Sequence, residues 1–213
     1  MEVVAGVPGR AVLPPAAVVD ITAGRPIRAV WENEIGGVTF EVGVDRARCF
    51  VKWLPSSHAA ELHDEPRRLD WAARFTSVPT VIGDGRDDDG AWLVTSPVPG
   101  ENAVSPRWKH DPATAARAIG EGLRALHDTL PVAGCPFSWS AANRVADTRR
   151  RAAVGRLDPS AWDPIHQRLS IEEAVAAAAE TRPEDRLVVC QGDPCAPNTI
   201  LTSDGYYRLP GRR

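Results

Sequence analysis

Asp193 and Asn198 stand five positions apart in the run Cys190-Gln191-Gly192-Asp193-Pro194-Cys195-Ala196-Pro197-Asn198. Apolar residues bracket the run, Leu187-Val188-Val189 before it and Thr199-Ile200-Leu201 after it. One carboxylate and one carboxamide on a short loop suit phosphoryl transfer. The carboxylate faces an attacking hydroxyl, and the amide oxygen turns to a magnesium ion on nucleotide phosphates. Gly192 relieves crowding, and Pro194 and Pro197 stiffen the loop so that the two groups keep a fixed separation. Asp, Pro and Asn are also ordinary turn residues, so the spacing alone leaves a plain polar turn open.

Lys52 is the second candidate. Of 25 basic residues only two are lysines, Lys52 and Lys109. Lys52 lies among Phe50, Val51, Trp53 and Leu54 in a strand pattern, so its ammonium needs an anionic partner or water. Glu65, on a predicted helix that follows, is a candidate partner. A strand lysine held by a helix glutamate can reach nucleotide phosphates, and an edge lysine in solvent is the plainer alternative. Gly36-Gly37, between two strand patterns, allows backbone N–H groups to approach phosphate but is equally an ordinary hairpin turn.

These residues must be positioned by a β-rich first half and a helical second half. Residues 28–54 read as three strands, with Val38–Val42 alternating and β-branched. Residues 59–75 read as a helix with an apolar stripe. Thr80–Ile82 and Ala91–Thr95 read as a hairpin with a polar tip at 83–90. Pro97-Val98-Pro99-Gly100 continues neither strand nor helix and marks a boundary. Beyond it, Asp111-Pro112 opens a helix to about His127, 141–156 reads as a helix, and Ser170 starts a capped helix ending near Thr181. Leu187–Val189 and Thr199–Leu201 read as short strands, and Ser203-Asp204-Gly205 as a turn into Tyr206-Tyr207. The expected organisation is an irregular lead-in at 1–27, a nucleotide-binding lobe at 28–96, a hinge at 97–100, and a partial second lobe at 101–213 that carries the loop at 191–198.

Composition narrows the function. The chain has 213 residues, 43% hydrophobic, with net charge −3. No basic stripe points to nucleic acid. No run approaches the length of a membrane span, and the N-terminus lacks the pattern of a signal peptide. Cys49, Cys135, Cys190 and Cys195 lack zinc or thioredoxin spacing and read as reduced thiols. The expectation is a cytoplasmic protein with neither nucleic acid nor membrane as partner, and the charge balance is compatible with a cationic small molecule without demanding one.

Taken in order, the segments resemble the aminoglycoside phosphotransferases of the 3′ type. Trp31-Glu32-Asn33-Glu34-Ile35-Gly36-Gly37-Val38-Thr39-Phe40 resembles that family's nucleotide loop, and Phe50-Val51-Lys52 its strand lysine. Glu61 to Leu69 resembles the helix carrying the partner, Glu65. Trp92 to Gly100 resembles the hinge, Leu123-Arg124-Ala125-Leu126-His127 a core helix, and Cys135-Pro136-Phe137 the turn after it. Gly192-Asp193-Pro194-Cys195-Ala196-Pro197-Asn198 resembles the catalytic loop. The resemblance implies an α+β, protein-kinase-like two-lobe fold, with ATP and Mg2+ as cofactors and an aminoglycoside as substrate. It implies Asp193 as catalytic base, Asn198 as metal ligand, Lys52 as phosphate clamp and Glu65 as its orienter. Thr39, Gly36 and Gly37 would stand near phosphate, and Ser96 and Val98 would read adenine.

The chain departs from the family pattern twice. Gln191 stands where the family has His, which implies weaker positioning of the loop. After Tyr206-Tyr207 the residues Arg208-Leu209-Pro210-Gly211-Arg212-Arg213 lack the family's Asp-x-Gly-Arg metal-binding segment, which implies a C-terminally truncated member with impaired turnover. A non-catalytic nucleotide-binding remnant, an inactive truncated product, and a kinase for another hydroxylated small molecule are the alternative readings.

Overall fold

Alternating β-branched and aromatic residues between 27 and 55 form strands because each can bury one face while its neighbours point away. The computed structural model describes residues 5–180 and 186–202. In it β1 (Ile27–Glu32), β2 (Val38–Val42), β3 (Cys49–Pro55), β4 (Val81–Arg86) and β5 (Gly90–Thr95) make one antiparallel sheet in the order β1-β2-β3-β5-β4. The register sets two kinds of row. Phe40, Val51 and Val94 are cross-strand partners, and so are Thr39, Lys52 and Leu93. Adjacent rows face opposite sides of the sheet.

One face is closed by α1 (Ala16–Thr22), whose Val18 is fully buried among Phe40, Val42, Val51 and Val94. This helix lies where the sequence predicts an irregular lead-in. Pro14 and Pro15 precede it, Val18, Ile21 and Thr22 recur at helical spacing, and Ala23 ends it in the left-handed region. Its β-branched composition argues weakly for a helix, and burial against the sheet overrides that preference. The other face is closed by a 3-10 segment, Ser56–Leu62, and by α2 (Glu65–Ala72). There Leu62 and Leu69 pack with Leu54, Ala91 and Leu93. The single helix expected over 59–75 is therefore two pieces. Pro66 lacks an N–H and fits only the first turn, so the α-helix starts beside it. β4 extends to Arg86, further than Ile82, and the polar tip shrinks to three residues closed by Asp87, whose Oδ1 accepts from the N–H of Asp89 and Gly90.

After the Pro-rich segment come β6 (Glu101–Asn102), α3 (Pro106–His110) and α4 (Pro112–Thr129). Asp111 caps α4 by accepting from Thr114 N–H at 3.1 Å, as the Asp-Pro pair predicts. β7 (Ile200–Leu201) pairs antiparallel with β6. Leu201 is buried with Ala103, Trp108, Ala115 and Ala118.

The chain forms two compact units: Met1–Leu130 together with Cys190–Arg213, and Pro131–Val189. The second unit holds α5 (Ala141–Ala153), a 3-10 turn at Pro159–Ala161, and α6 (Ile171–Ala179). α6 starts with the predicted capping box of Ser170 and Glu173. Leu187–Val189, predicted as a strand, pairs with nothing among the described residues, and Leu187 is exposed. β7 has β6 as its one strand partner among the described residues. The predicted α6 end at Thr181 and the turn into Tyr206-Tyr207 lie outside the described residues.

Because α1 seals one face of the sheet through Val18, Val18→Ala is expected to lower unfolding free energy by about 1–3 kcal/mol. Leu13→Ala, at a position 89% exposed, is expected to change it by less than about 0.5 kcal/mol. Urea denaturation of both variants checks the pair.

Candidate functional site

The Asn33–Gly37 segment turns β1 into β2. Asn33 N–H donates to Gly37 O at 3.0 Å, Gly36 N–H to Asn33 O at 3.2 Å, and Gly37 N–H to Asn33 Oδ1 at 2.7 Å. Gly36 has φ +80°, which a side chain resists. A Cβ on Gly37 would stand 2.3 Å from Leu54 Cδ2. The glycine pair is thus needed to fold the turn down onto β3. Its own N–H groups close the turn, and those of Glu34 and Ile35 at the tip take no part in it. Asn33, the residue that closes this turn, was not singled out from the sequence. Its signal was an Asn four residues before the second glycine.

Lys52 and Thr39 are direct cross-strand partners, so they stand side by side on the face that α2 covers. Glu65, the first residue of α2, accepts from Lys52 Nζ at 2.7 Å. The pair is partly open, with side chains 42% and 33% exposed. In that setting it contributes at most about 1 kcal/mol to stability, so its chief consequence is to hold an ammonium at one place on the sheet.

The other grouping is the loop. Gln191 Oε1 accepts from Asp193 N–H at 2.8 Å, across Gly192 with φ +96°. Asn198 Nδ2 donates to Asp193 Oδ2 at 2.8 Å and to Asp193 O at 3.3 Å. The five-residue spacing therefore does bring carboxylate and carboxamide into contact. A 3-10 turn at Ala196–Asn198 makes this possible, with Asn198 N–H donating to Cys195 O at 3.0 Å. Downstream, Thr199 Oγ1 donates to Cys195 O and Asn102 Nδ2 donates to Pro197 O. Asn102 is a further residue that sequence reading missed, since only the fold brings it to position 197.

Ser96 follows β5. Its N–H donates to Thr80 O, and its hydroxyl accepts from Thr80 N–H, both at 2.9 Å. Its carbonyl is left for other partners, and Val98 lies two residues on in the half-buried segment before Gly100. A Cβ on Gly100 would stand 2.4 Å from Leu201 O.

The donor set fits a hard cation bound through oxygen. Asn198 uses Nδ2 on Asp193, which leaves its Oδ1, and Asp193 retains Oδ1. Among the described residues no group of three or more His, Cys, Asp or Glu gathers to cage a metal. Magnesium commonly takes one or two protein oxygens and fills the remainder from phosphates and water. No helix among the described residues is long and apolar enough to cross a membrane.

Cys195 is drawn into the loop as well. Desolvation, with further contributions from a hydrogen bond to the Asp193 carboxylate and its negative charge, pushes the Cys195 thiol above its ordinary value, while the Asn198 N–H acts in the other direction.

The sequence pattern of the phosphotransferase enzyme family matches residues 25–208. An aminoglycoside 3′-phosphotransferase of Streptomyces fradiae is 38% identical over 159 residues, which span 74% of this chain and 59% of that protein. The crystal structure of an aminoglycoside-3′-phosphotransferase of type VIII superposes with a TM-score of 0.65 at 34% identity, covering 84% of this chain and 67% of that one. An aminoglycoside phosphotransferase from Streptomyces rimosus, solved in complex with ADP and streptomycin, gives a TM-score of 0.54 at 26% identity, covering 79% and 64% of the two chains. The chain spans about 59% of the length of the Streptomyces fradiae relative.

A thiol held protonated alkylates slowly, because the thiolate is the nucleophile. With Cys135 and Cys190 replaced by Ser, the iodoacetamide rate at Cys195 should rise with pH to a midpoint above the ordinary thiol value of about 8.5. Asp193→Asn removes the negative charge, so the midpoint should fall and the rate at pH 8 increase. An unchanged midpoint would mean that Asp193 does not govern this thiol.

Proposed function

Because the chain belongs to the phosphotransferase enzyme family, we propose that it transfers the γ-phosphoryl group of ATP to a hydroxyl of an aminoglycoside. The Lys52–Glu65 pair at 2.7 Å carries this reading. It turns a strand lysine that could have pointed into solvent into a fixed cation beside Thr39, at the end of a glycine turn. ATP supplies the phosphoryl group and Mg2+ offsets phosphate charge.

Each residue has a stated part. Lys52 Nζ would hold the nucleotide phosphates, with Glu65 orienting it. Thr39 and the free N–H groups at the tip of the Asn33–Gly37 turn would line the phosphate path, and the two glycines shape that turn. The Ser96 carbonyl and the Val98 N–H would read the adenine edge. Asp193 would orient the acceptor hydroxyl and take its proton at a carboxylate oxygen as the hydroxyl oxygen bonds to the γ-phosphorus and the bond from that phosphorus to the bridging oxygen breaks, which releases ADP. Asn198 would give Oδ1 to the metal while its Nδ2 steadies the base. Gln191 would position Asp193 through the main chain. The substrate class is proposed from the relatives, and so is a cytoplasmic location.

A second reading is favoured by one observation. Asn198 is the one metal ligand assigned, and among the described residues no group of three or more His, Cys, Asp or Glu gathers to supply a second. Chemistry of this kind commonly uses two or more metal contacts from the protein. On this reading the described residues are expected to bind ATP and turn it over slowly.

A coupled assay of ATP consumption with kanamycin, run beside calorimetric titration of ATP with Mg2+, tests both readings. Lys52→Met should weaken ATP binding by about tenfold, the scale of one charge-assisted contact. Asp193→Ala should leave ATP affinity within about twofold and lower any turnover by at least about a hundredfold. Binding without product selects the second reading, and no ATP binding refutes both.

A further inference from the structure

On the face of the sheet opposite Lys52, α1 and the start of β3 do not close over the β4–β5 edge. They leave a cavity of about 510 Å³, a volume within the range of small-molecule sites. Trp92 and Val94 form its apolar wall, and Ile82, 60% exposed, stands at its rim. Trp92 is held in place by the sheet. Its ring lies across Gly85, where a Cβ would come within 2.5 Å of it.

Two guanidinium groups line the cavity. Arg48 pairs with Glu41 at 3.4 Å. Arg25 differs. Its Nε donates to Thr22 O at 2.9 Å, its Nη2 to Ile21 O at 3.1 Å, and its Nη1 to Ala47 O at 3.5 Å and Cys49 Sγ at 3.9 Å. Those carbonyls fix the planar fork and carry no net charge, and no carboxylate among the described residues pairs with Arg25. Asp84, on β4, is the only acidic residue of the lining. The lining thus has an excess of positive charge, centred on an immobilised guanidinium beside an aromatic wall.

We propose that this cavity binds a small aromatic carboxylate, its ring against Trp92 and Val94 and its carboxylate on Arg25. Four of the five Arg25 N–H groups are engaged, which leaves one Nη2 N–H to donate to a carboxylate oxygen in a bond that the guanidinium charge strengthens. Thr39, Lys52 and Glu65 do not line the cavity, and of the residues assigned to nucleotide only Ser96 does. The site therefore meets the proposed nucleotide site at Ser96 alone and lies on the sheet face opposite Lys52, and its occupation is read by binding rather than by turnover.

The test is titration of 2-naphthoate into the protein, followed by the probe's fluorescence, with neutral 2-naphthamide as the shape control. Saturable naphthoate binding is expected, with naphthamide weaker by about tenfold, the scale of a single ion pair worth 1.4 kcal/mol. Arg25→Gln should lose a similar factor. Arg25 also caps the end of α1, so its variant may only be read once its melting curve matches the parent. Ile82→Glu gives the independent arm, since it adds a negative charge at an exposed rim position and should weaken naphthoate by about tenfold without touching the core. Saturating ATP with Mg2+ should leave naphthoate affinity unchanged. Equal binding of the amide, no effect of Ile82→Glu, displacement by ATP, or no saturation at millimolar probe would each overturn the proposal.

Discussion

The two-residue ladder between Glu101–Asn102 and Ile200–Leu201 is the constraint on which the rest of the candidate site depends. It joins segments about a hundred positions apart in the chain, so it fixes the loop of Asp193 and Asn198 against the segment that leaves the five-stranded sheet. Two hydrogen-bonded residues would not hold alone in water. Leu201, almost wholly buried with Trp108, Ala115 and Ala118, supplies the apolar contribution. Asn102 adds a side-chain bond to Pro197 O inside the loop itself. Gly100 completes the arrangement, because any side chain there would collide with the Leu201 carbonyl. Gly100 is thus required by β7, the strand that follows the loop of Asp193 and Asn198.

The sheet solves a second problem, that of keeping a lysine ammonium beside buried apolar residues. Val51 and Lys52 are neighbours in β3 and must face opposite ways. α1 packs on the Val51 side, and Val18 shields Phe40, Val42 and Val51 there from water. On the α2 side the Lys52–Glu65 pair stays partly exposed, and Glu65 stands at the helix start, where a carboxylate is also favoured by the helix dipole. Lys52 therefore meets a carboxylate without being desolvated completely. A deeply buried pair would carry a desolvation cost that its attraction seldom repays. A half-open pair keeps its charge available to a third group.

Much of this was legible in the sequence, for reasons specific to each part. Strands β2, β3 and β5 carry alternation with β-branched residues, and α4 and α6 begin with side chains able to cap them, so both classes of signal are local. Lys52 with Glu65, and Asp193 with Asn198, were legible because each pair spans one strand–helix step or one loop. What escaped reading depended on partners distant in the chain. α1 is helical because Val18 finds Phe40, Val42 and Val51 to pack on. Asn102 matters only because the fold carries it to Pro197. Leu187–Val189 has strand composition but no partner edge among the described residues. Pro66 was a missed local cue, since it alone forces α2 to begin at its own turn.

Gln191 shows how a loop with little packing can still be positioned. Residues 191–195 are exposed, so burial contributes little to their order. The Gln191 side chain instead accepts from the Asp193 N–H, which closes a small ring around Gly192 and points the Asp193 side chain toward Asn198. The ring needs Gly192 with positive φ, so the Gln-Gly-Asp triplet works as one unit. Each such bond is worth only about 0.5–1.5 kcal/mol net, and a glutamine gives up considerable rotamer freedom to make it. The loop is therefore held by a chain of modest local bonds from Gln191 to Asp193 to Asn198 to Cys195, and the β6–β7 ladder anchors only its far end. Its geometry should then be most sensitive at the end away from that anchor, at Gln191, even though that side chain bonds only to the main chain of Asp193.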